Sequence, residues 1–254
     1  MKTTEDTRIA VLIDADNIPS TNVKAMMEEI AKYGTPTFKR IYGDWTKPNL
    51  AGWKNVLLEN AITPIQQYSY TTGKNATDSA MIIDAMDILY SEKVDAFCIV
   101  SSDSDFTRLA TRLREAGMTV IGLGEKKTPN PFIVACDKFI YLEILTIRTE
   151  ESKAKVESVK GREVKAPPTE TLQKIGRDTI NLIATSITDL ADDSGWAFLG
   201  EVGSLILKKQ PDFDPRNFGF GKLALLIKSI SKFEVDERET EKKRSKLVYV
   251  RVKS

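Results

Sequence analysis

Two stretches of the chain change character in the same way. Ile9-Ala10-Val11-Leu12-Ile13 gives way to Asp14-Ala15-Asp16-Asn17, and Ala96-Phe97-Cys98-Ile99-Val100 gives way to Ser101-Ser102-Asp103-Ser104-Asp105. Five apolar residues without a polar interruption predict a strand covered on both faces. After each run apolar positions recur at helical spacing: Val23, Met26, Met27 and Ile30 after the first, Phe106, Leu109, Ala110 and Leu113 after the second. Further strands are predicted at 35–42, 61–67, 118–123 and 139–142, with helices at 50–59 and 77–90. In the latter helix Thr77 is the N-cap candidate and Asp78 falls in the first turn, where an acid suits the helix dipole. Met81, Ile82, Ala85, Ile88 and Leu89 form its apolar side. Strands alternating with helices predict an α/β fold with a parallel sheet and helices on both faces. Both acidic stretches then stand at carboxyl ends of strands, the edge where open α/β sheets bind ligands.

The pattern fails over 149–168, where charges, small residues and Pro167-Pro168 predict a linker. A second pattern occupies 169–254. Leu172, Ile175, Ile183, Ile187 and Leu190 predict a long helix, Val202, Leu205 and Ile206 a second, and Leu223, Leu226, Ile227 and Ile230 a third. Phe233-Glu234-Val235 and Lys246-Leu247-Val248-Tyr249-Val250-Arg251-Val252 read as two strands around a charged tip. Three helices followed by such a hairpin are the order of a small winged helix, in which Trp196, Phe198, Phe213, Phe218 and Phe220 are expected mainly in the core. The predicted domains are therefore 1–148 and 169–254.

Composition narrows the chemistry. The 254 residues include no histidine and two cysteines, Cys98 and Cys136, each in an apolar run. Histidine-based nucleophilic catalysis and histidine metal ligation are excluded, and the cysteines read as buried thiols. No apolar run reaches the roughly 18 residues of a membrane span, and the N-terminus lacks a signal-peptide pattern, so a cytoplasmic protein is expected. The net charge of +1 is uneven: 17 Lys+Arg against 19 Asp+Glu in 1–148 gives −2, and 15 against 13 in 169–254 gives +2. Carboxylates gathered at two strand ends repel one another, and a fold that gathers them commonly places a cation between them.

Four groups of residues resemble the NYN-domain family of PIN-like nucleases: the strand ending in Asp14-x-x-Asn17, Tyr42-Gly43-Asp44-Trp45, Lys74-x-x-x-Asp78-x5-Asp84, and Ser101-Ser102-Asp103-Ser104-Asp105-Phe106. The set in this order is more specific than any member. The family often has glycine where this chain has Ser102. The C-terminal region resembles an OST-HTH/LOTUS domain through Gly195-Trp196-Ala197-x-Leu199-Gly200-x-Val202-Gly203, Pro211-x-Phe213-Asp214 and Phe218-Gly219-Phe220-x-Lys222-Leu223. The resemblance implies a metal-dependent ribonuclease fold joined to an RNA-binding winged helix. Asp14, Asp78, Asp103 and Asp105 would be the catalytic acids that hold Mg²⁺ or Mn²⁺, with Asn17 beside them.

Other residues carry two readings each. Asp103 also suits a helix cap, and Asp84 lies well round the helix from Asp78. Asp16 is expected to face solvent or its own backbone. Asp44 and Trp45 could line the same crevice. Tyr70 and Lys74, with Tyr68, are candidates for stacking on bases and neutralising phosphate, against a reading as ordinary loop residues. Arg108 and Arg112 read as a solvated helix face. In the second domain Lys208, Lys209, Arg216, Lys222, Lys242, Lys243 and Arg244 are the candidate phosphate contacts. The expected partner is single-stranded or structured RNA, with a protein partner of the C-terminal domain as the other option. The expected function is a divalent-metal-dependent endoribonuclease. One rival is a non-catalytic RNA-binding protein that keeps the fold. The other is a haloacid-dehalogenase-type phosphatase, which Val11-Leu12-Ile13-Asp14-Ala15-Asp16 also resembles although Asn17-Ile18-Pro19 departs from that pattern.

Overall fold

The computed structural model describes residues 7–68, 76–145, 172–239 and 246–253. The chain divides into two compact units, 1–167 and 168–254. In the first, the two five-residue apolar runs become the central strands, β1 (Arg8–Asp14) and β4 (Ala96–Val100). They pair in parallel, Ile9 opposite Ala96 through Ile13 opposite Val100. β2 (Thr35–Gly43) and β3 (Thr63–Gln66) extend the sheet on the β1 side, and β5 (Thr119–Gly124) and β6 (Lys138–Tyr141) on the β4 side. The order is β3-β2-β1-β4-β5-β6, all parallel. Successive connections therefore run outward in opposite directions from β1 and β4, and the crevice between their carboxyl ends is the topological switch point.

Each face of the sheet has its own apolar core because side chains alternate along a strand. Ile9, Val11 and Ile13 point with Cys98 and Val100 towards α1 (Val23–Ile30) and α2 (Trp53–Asn60). Ala10 and Leu12 point with Phe97 and Ile99 towards α3 (Ala76–Tyr90), α4 (Thr107–Glu115) and α5 (Asn130–Ala135). Fully burying side chains of this kind contributes roughly 1.5–3 kcal/mol each, which fixes the register of the two strands that carry the acids. α5 is an element the sequence pattern did not predict, since six residues starting Asn-Pro are too few to establish a helical period. Thr77 is not an N-cap: the helix already includes Ala76, and Thr77 is buried in its first turn. Both cysteines are free and buried.

The second unit comprises α6 (Arg177–Thr188), β7 (Ala197–Phe198), α7 (Leu199–Lys209), α8 (Leu223–Lys228), β8 (Phe233–Glu239) and β9 (Lys246–Val252). Its antiparallel sheet has the order β7-β9-β8. Ile183, Ile187, Val202, Ile206, Leu226, Ile227, Phe233 and Val250 form the core. Here α6 is shorter than the apolar spacing predicts. Leu172 and Ile175 precede it, and Leu190 follows its end. Phe213 is in the core, whereas Trp196 is half-buried beneath the guanidinium of Arg251, 4.7 Å from the ring centre. No helix among the described residues is long and apolar enough to cross a membrane.

Candidate metal centre

Asp14 is the last residue of β1 and is almost wholly buried. Burial pushes its carboxyl pKa up, while hydrogen bonds from Asn17, Ser101 and the Asp16 backbone pull it down. Asn17 Nδ2 donates to Oδ2 at 2.7 Å, Ser101 Oγ donates to the same oxygen at 2.8 Å, and the Asp16 amide donates to Oδ1 at 3.1 Å. Ser101, directly after β4, also accepts from the Asp103 amide at 3.0 Å. One hydroxyl thus ties the ends of the two central strands together and sets where the second acidic stretch begins.

Beyond that point the chain turns through a 3-10 segment, Ser104–Phe106, into α4. Asp103 caps this turn, its Oδ1 accepting from the Asp105 amide at 2.9 Å. The Ser102 hydroxyl accepts from the Glu125 amide at 2.9 Å, so serine in place of glycine adds a tether to the neighbouring strand end. Gly124, at the end of β5, has no room for a side chain: a Cβ there would stand 2.6 Å from the Ser101 carbonyl oxygen and 2.7 Å from Thr128 Oγ1.

Asp78 approaches from the first turn of α3. Asp78, Asp103 and Asp105 each present a carboxylate oxygen within 4.8 Å of the other two. Asp14 does not join this mutually close set, but its charge reaches Asp78. The Asp78 carboxyl is pushed up to about 6, first by burial and then by the charges of Asp14, Asp103, Asp105 and Asp16. Asp78 and Asp103 are half-buried and Asp105 is exposed, so the group opens to solvent above a buried fourth acid. An all-oxygen donor set of mutually close carboxylates suits a hard divalent cation such as Mg²⁺ or Mn²⁺.

The remaining acids are engaged elsewhere. Asp84 is not part of the centre: α3 turns it towards β2, where it pairs with the Arg40 guanidinium and accepts from the Tyr42 hydroxyl. Burial, then the Asp84 contact, drives the Tyr42 pKa upward. Asp44 accepts from Thr46 Oγ1 at 2.6 Å and Gln66 Nε2 at 3.1 Å, and Trp45 donates through Nε1 to the Ile65 carbonyl at 3.0 Å, which locks the β2 end to β3. Asp16 faces Lys47 at 3.8 Å and accepts from Thr77 Oγ1 at 3.4 Å. The bridging role of Ser101 and the steric role of Gly124 had one legible signal between them, a hydroxyl placed between a buried strand and an acid pair.

In the second unit Lys208 and Lys222 are exposed. Lys209 pairs with Asp189 at 2.6 Å. Arg216 forms a two-pronged pair with Asp214, Nε to Oδ1 at 2.9 Å and Nη2 to Oδ2 at 2.6 Å, so its guanidinium is already committed inside its own domain. Tyr70, Lys74, Lys242, Lys243 and Arg244 lie outside the described residues.

Comparison with known proteins follows the same division. A family model described as the NYN domain matches residues 8–143, and one described as the OST-HTH/LOTUS domain matches 170–245. No curated protein matches the chain. Among solved structures, an uncharacterised protein of Nitrosomonas europaea is 34% identical over 36% of this chain and 86% of its own, with a TM-score of 0.30. A protein of unknown function from Vibrio parahaemolyticus is 20% identical over 55% of this chain and 94% of its own, with a TM-score of 0.45. A fragment of a Chromobacterium violaceum protein is 32% identical over 32% of this chain and 85% of its own, with a TM-score of 0.26.

Proposed function

The chain belongs to the NYN-domain family, and we propose that it is a divalent-cation-dependent endoribonuclease whose OST-HTH/LOTUS domain supplies RNA affinity. The NYN fold is nuclease-like and the OST-HTH/LOTUS domain is of an RNA-binding type; catalysis, metal dependence and a cytoplasmic location are the proposal. The observation that carries it is the convergence of Asp78, Asp103 and Asp105 within 4.8 Å at the switch point of the sheet.

Asp78, Asp103 and Asp105 would hold Mg²⁺ or Mn²⁺. When bound, the cation supplies Lewis-acid polarisation of a phosphodiester and a lowered pKa for water. The chain's own groups hold the centre in place. Asp14 anchors Asn17 and Ser101, and Ser101 fixes the Asp103 backbone, so that two carboxylates project from a turn tied at both strand ends. The burial of Asp14 and the hydrogen bonds on both its oxygens speak against its acting as the nucleophile of a dehalogenase-type phosphatase. Lys208 and Lys222 are the exposed cations from which the C-terminal domain would contact phosphate.

Incubating the protein with end-labelled RNA in Mg²⁺, Mn²⁺ or EDTA tests the reading. Cleavage is expected with metal and none with EDTA. Asp103→Asn should lose at least about a hundredfold in rate, as removal of a principal electrostatic group does, while the asparagine still caps the turn. Wild-type cleavage by that variant, or undiminished cleavage in EDTA, would remove the acid cluster from the mechanism.

A further inference from the structure

We propose that the outward faces of α3 and α4 form a track along which single-stranded RNA leaves the carboxylate cluster, its phosphates on Arg108 and Arg112 and a base on Tyr90; the proposal rests on the nuclease reading above. Both helices pack on the same face of the sheet and both begin at the cluster, Asp78 in the first turn of one and Asp105 in the turn that leads into the other. Towards their far ends they are joined by a hydrogen bond of 3.3 Å from Arg112 Nη2 to the Tyr90 hydroxyl. The surface between them therefore starts at the acids and ends at Tyr90.

Its composition is unusual for a solvated helix pair. Ile83 is 64% exposed and Tyr90 69%, both on the outward side of α3. Single exposed apolar residues need no explanation. Here Tyr90 adjoins Arg112, which with Arg108 forms an exposed i, i+4 pair on one side of α4. Arg108 makes no hydrogen bond or ion pair with any described residue, and Arg112 has only the Tyr90 contact among them. The third arginine of the helix shows the contrast: Arg114 is held by Asp137 at 3.0 Å and faces α5. Each helix also carries an exposed acid: Asp87, four residues after Ile83 and on the Asp84 side of that stripe, and Glu115, one turn beyond Arg112 at the far end of α4.

Charge selects the occupant. Residues 1–148 carry −2, from 17 Lys+Arg against 19 Asp+Glu, and the cluster repels a polyanion unless fixed cations lie along the strand's path. Arginine binds phosphate in a planar, directed way and also stacks, and an exposed tyrosine accepts any base. Two exposed arginines in no ion pair with a described residue, one of them beside an exposed aromatic and both on the helix that starts at the acid cluster, match the chemistry of a single strand better than that of a protein partner.

The test uses the full chain and a short oligouridine carrying 5-iodouridine, photo-crosslinked in EDTA so that no cleavage is needed. The expected result is an adduct on Tyr90 that is lost in the Arg108→Glu/Arg112→Glu variant and retained in Arg108→Lys/Arg112→Lys. With metal present the Glu variant should raise KM about tenfold with little change in kcat, the signature of lost uniform binding. Its salt slope should fall by about 1.4, roughly 0.7 for each phosphate contact on a single strand. Calorimetric Mn²⁺ binding should be unchanged in the Arg108→Lys/Arg112→Lys variant, which keeps both charges. Adducts confined to 172–253 together with a wild-type KM in the Glu variant would overturn the track and leave the nuclease reading intact. A wild-type protein that cuts no RNA but yields the arginine-dependent Tyr90 adduct would overturn the nuclease reading and leave the track. Loss of a dimer on Tyr90→Ala without loss of RNA adducts would reassign the surface to a protein contact and overturn the proposal.

Discussion

Asp78→Asn should stabilise the metal-free protein. Its carboxyl is raised from 3.8 to about 6 in the folded state, by burial first and by Asp14, Asp103, Asp105 and Asp16 thereafter. A tenfold change in proton affinity corresponds to about 1.4 kcal/mol, so the unscreened penalty for ionising Asp78 is about 3 kcal/mol. The residue is only half-buried, and solvent screening brings the usable figure down to about 1–2 kcal/mol. Coulomb's law gives a compatible scale: two charges within 4.8 Å of each other repel by at least about 1 kcal/mol in bulk water and about 3.5 kcal/mol at an effective dielectric of 20. The sign follows from proton linkage. The folded state binds Asp78's proton more tightly than the unfolded chain, so the penalty is absent below about pH 4, grows through the window from 4 to 6 and is complete above it. Scanning calorimetry of the full chain in EDTA at pH 7.5 should show the first unit melting about 2–8 °C higher in Asp78→Asn, at 2–4 °C per kcal/mol for a domain of this size. The gain should shrink as the pH is lowered towards 4. Millimolar Mg²⁺ should then reverse the order, because ligand binding to the folded state stabilises only the chain that keeps its ligand set. A lower melting temperature for the variant in EDTA, or a gain that does not depend on pH, would show that Asp78 is not under the repulsion described.

Asp84→Ala should cost about 2 kcal/mol, since it leaves the Arg40 guanidinium and Tyr42 hydroxyl without their partner in a half-buried site; urea unfolding measures it, and an unchanged midpoint would refute it. Gly124→Ala should destabilise by about 1–3 kcal/mol through overpacking against the Ser101 carbonyl, and should also weaken Mn²⁺ binding roughly tenfold or more by shifting the residue that orients Asp103; intact affinity in a calorimetric titration would show that Ser101 does not position the centre. Residues 172–253, which carry their own core, should bind labelled RNA at low salt, release it as salt rises and cut nothing. Absence of binding at low salt would make that domain a protein-partner module.

The parts of the molecule that the sequence made legible are those that burial dictates over several consecutive residues. β1 and β4 were plain because each contains five consecutive apolar residues covered on both sides, and the acids that follow those runs had to fall at the strand ends. The position of Asp78 in a first turn followed from the helical spacing after it. What the pattern could not convey was direction. Asp14 ends β1 and Asp103 lies three residues past the end of β4, yet one carboxylate turns into Ser101 and Asn17 while the other lies beside Asp78 and Asp105. Asp78 and Asp84 share a helix, and only the detailed rotation of α3 over β2 sends the second to Arg40. Thr77 failed as a cap because Ala76 before it is already helical, a boundary shift that periodicity does not resolve. Arg216 looked like a surface cation because its partner, Asp214, is two residues away and charge counting alone does not show a pair.

The strand order also governs how the protein is made. β1 leaves the ribosome before the other five strands of its sheet and ends as a central one, between β2 and β4. β2 follows closely, but β4 starts 82 residues after the end of β1, at Ala96 rather than Asp14. At 5–20 residues per second the far side of β1 stays unpaired for roughly 4–16 s of synthesis. During that interval the nascent chain displays Ile9 to Ile13 along an open strand edge, the form most prone to join a neighbouring chain. The same delay postpones the meeting of the acids. Asp103 and Asp105 are made after β4, and Ser101 closes the two strands only then, so a chain that stops short of β4 carries no assembled acid cluster.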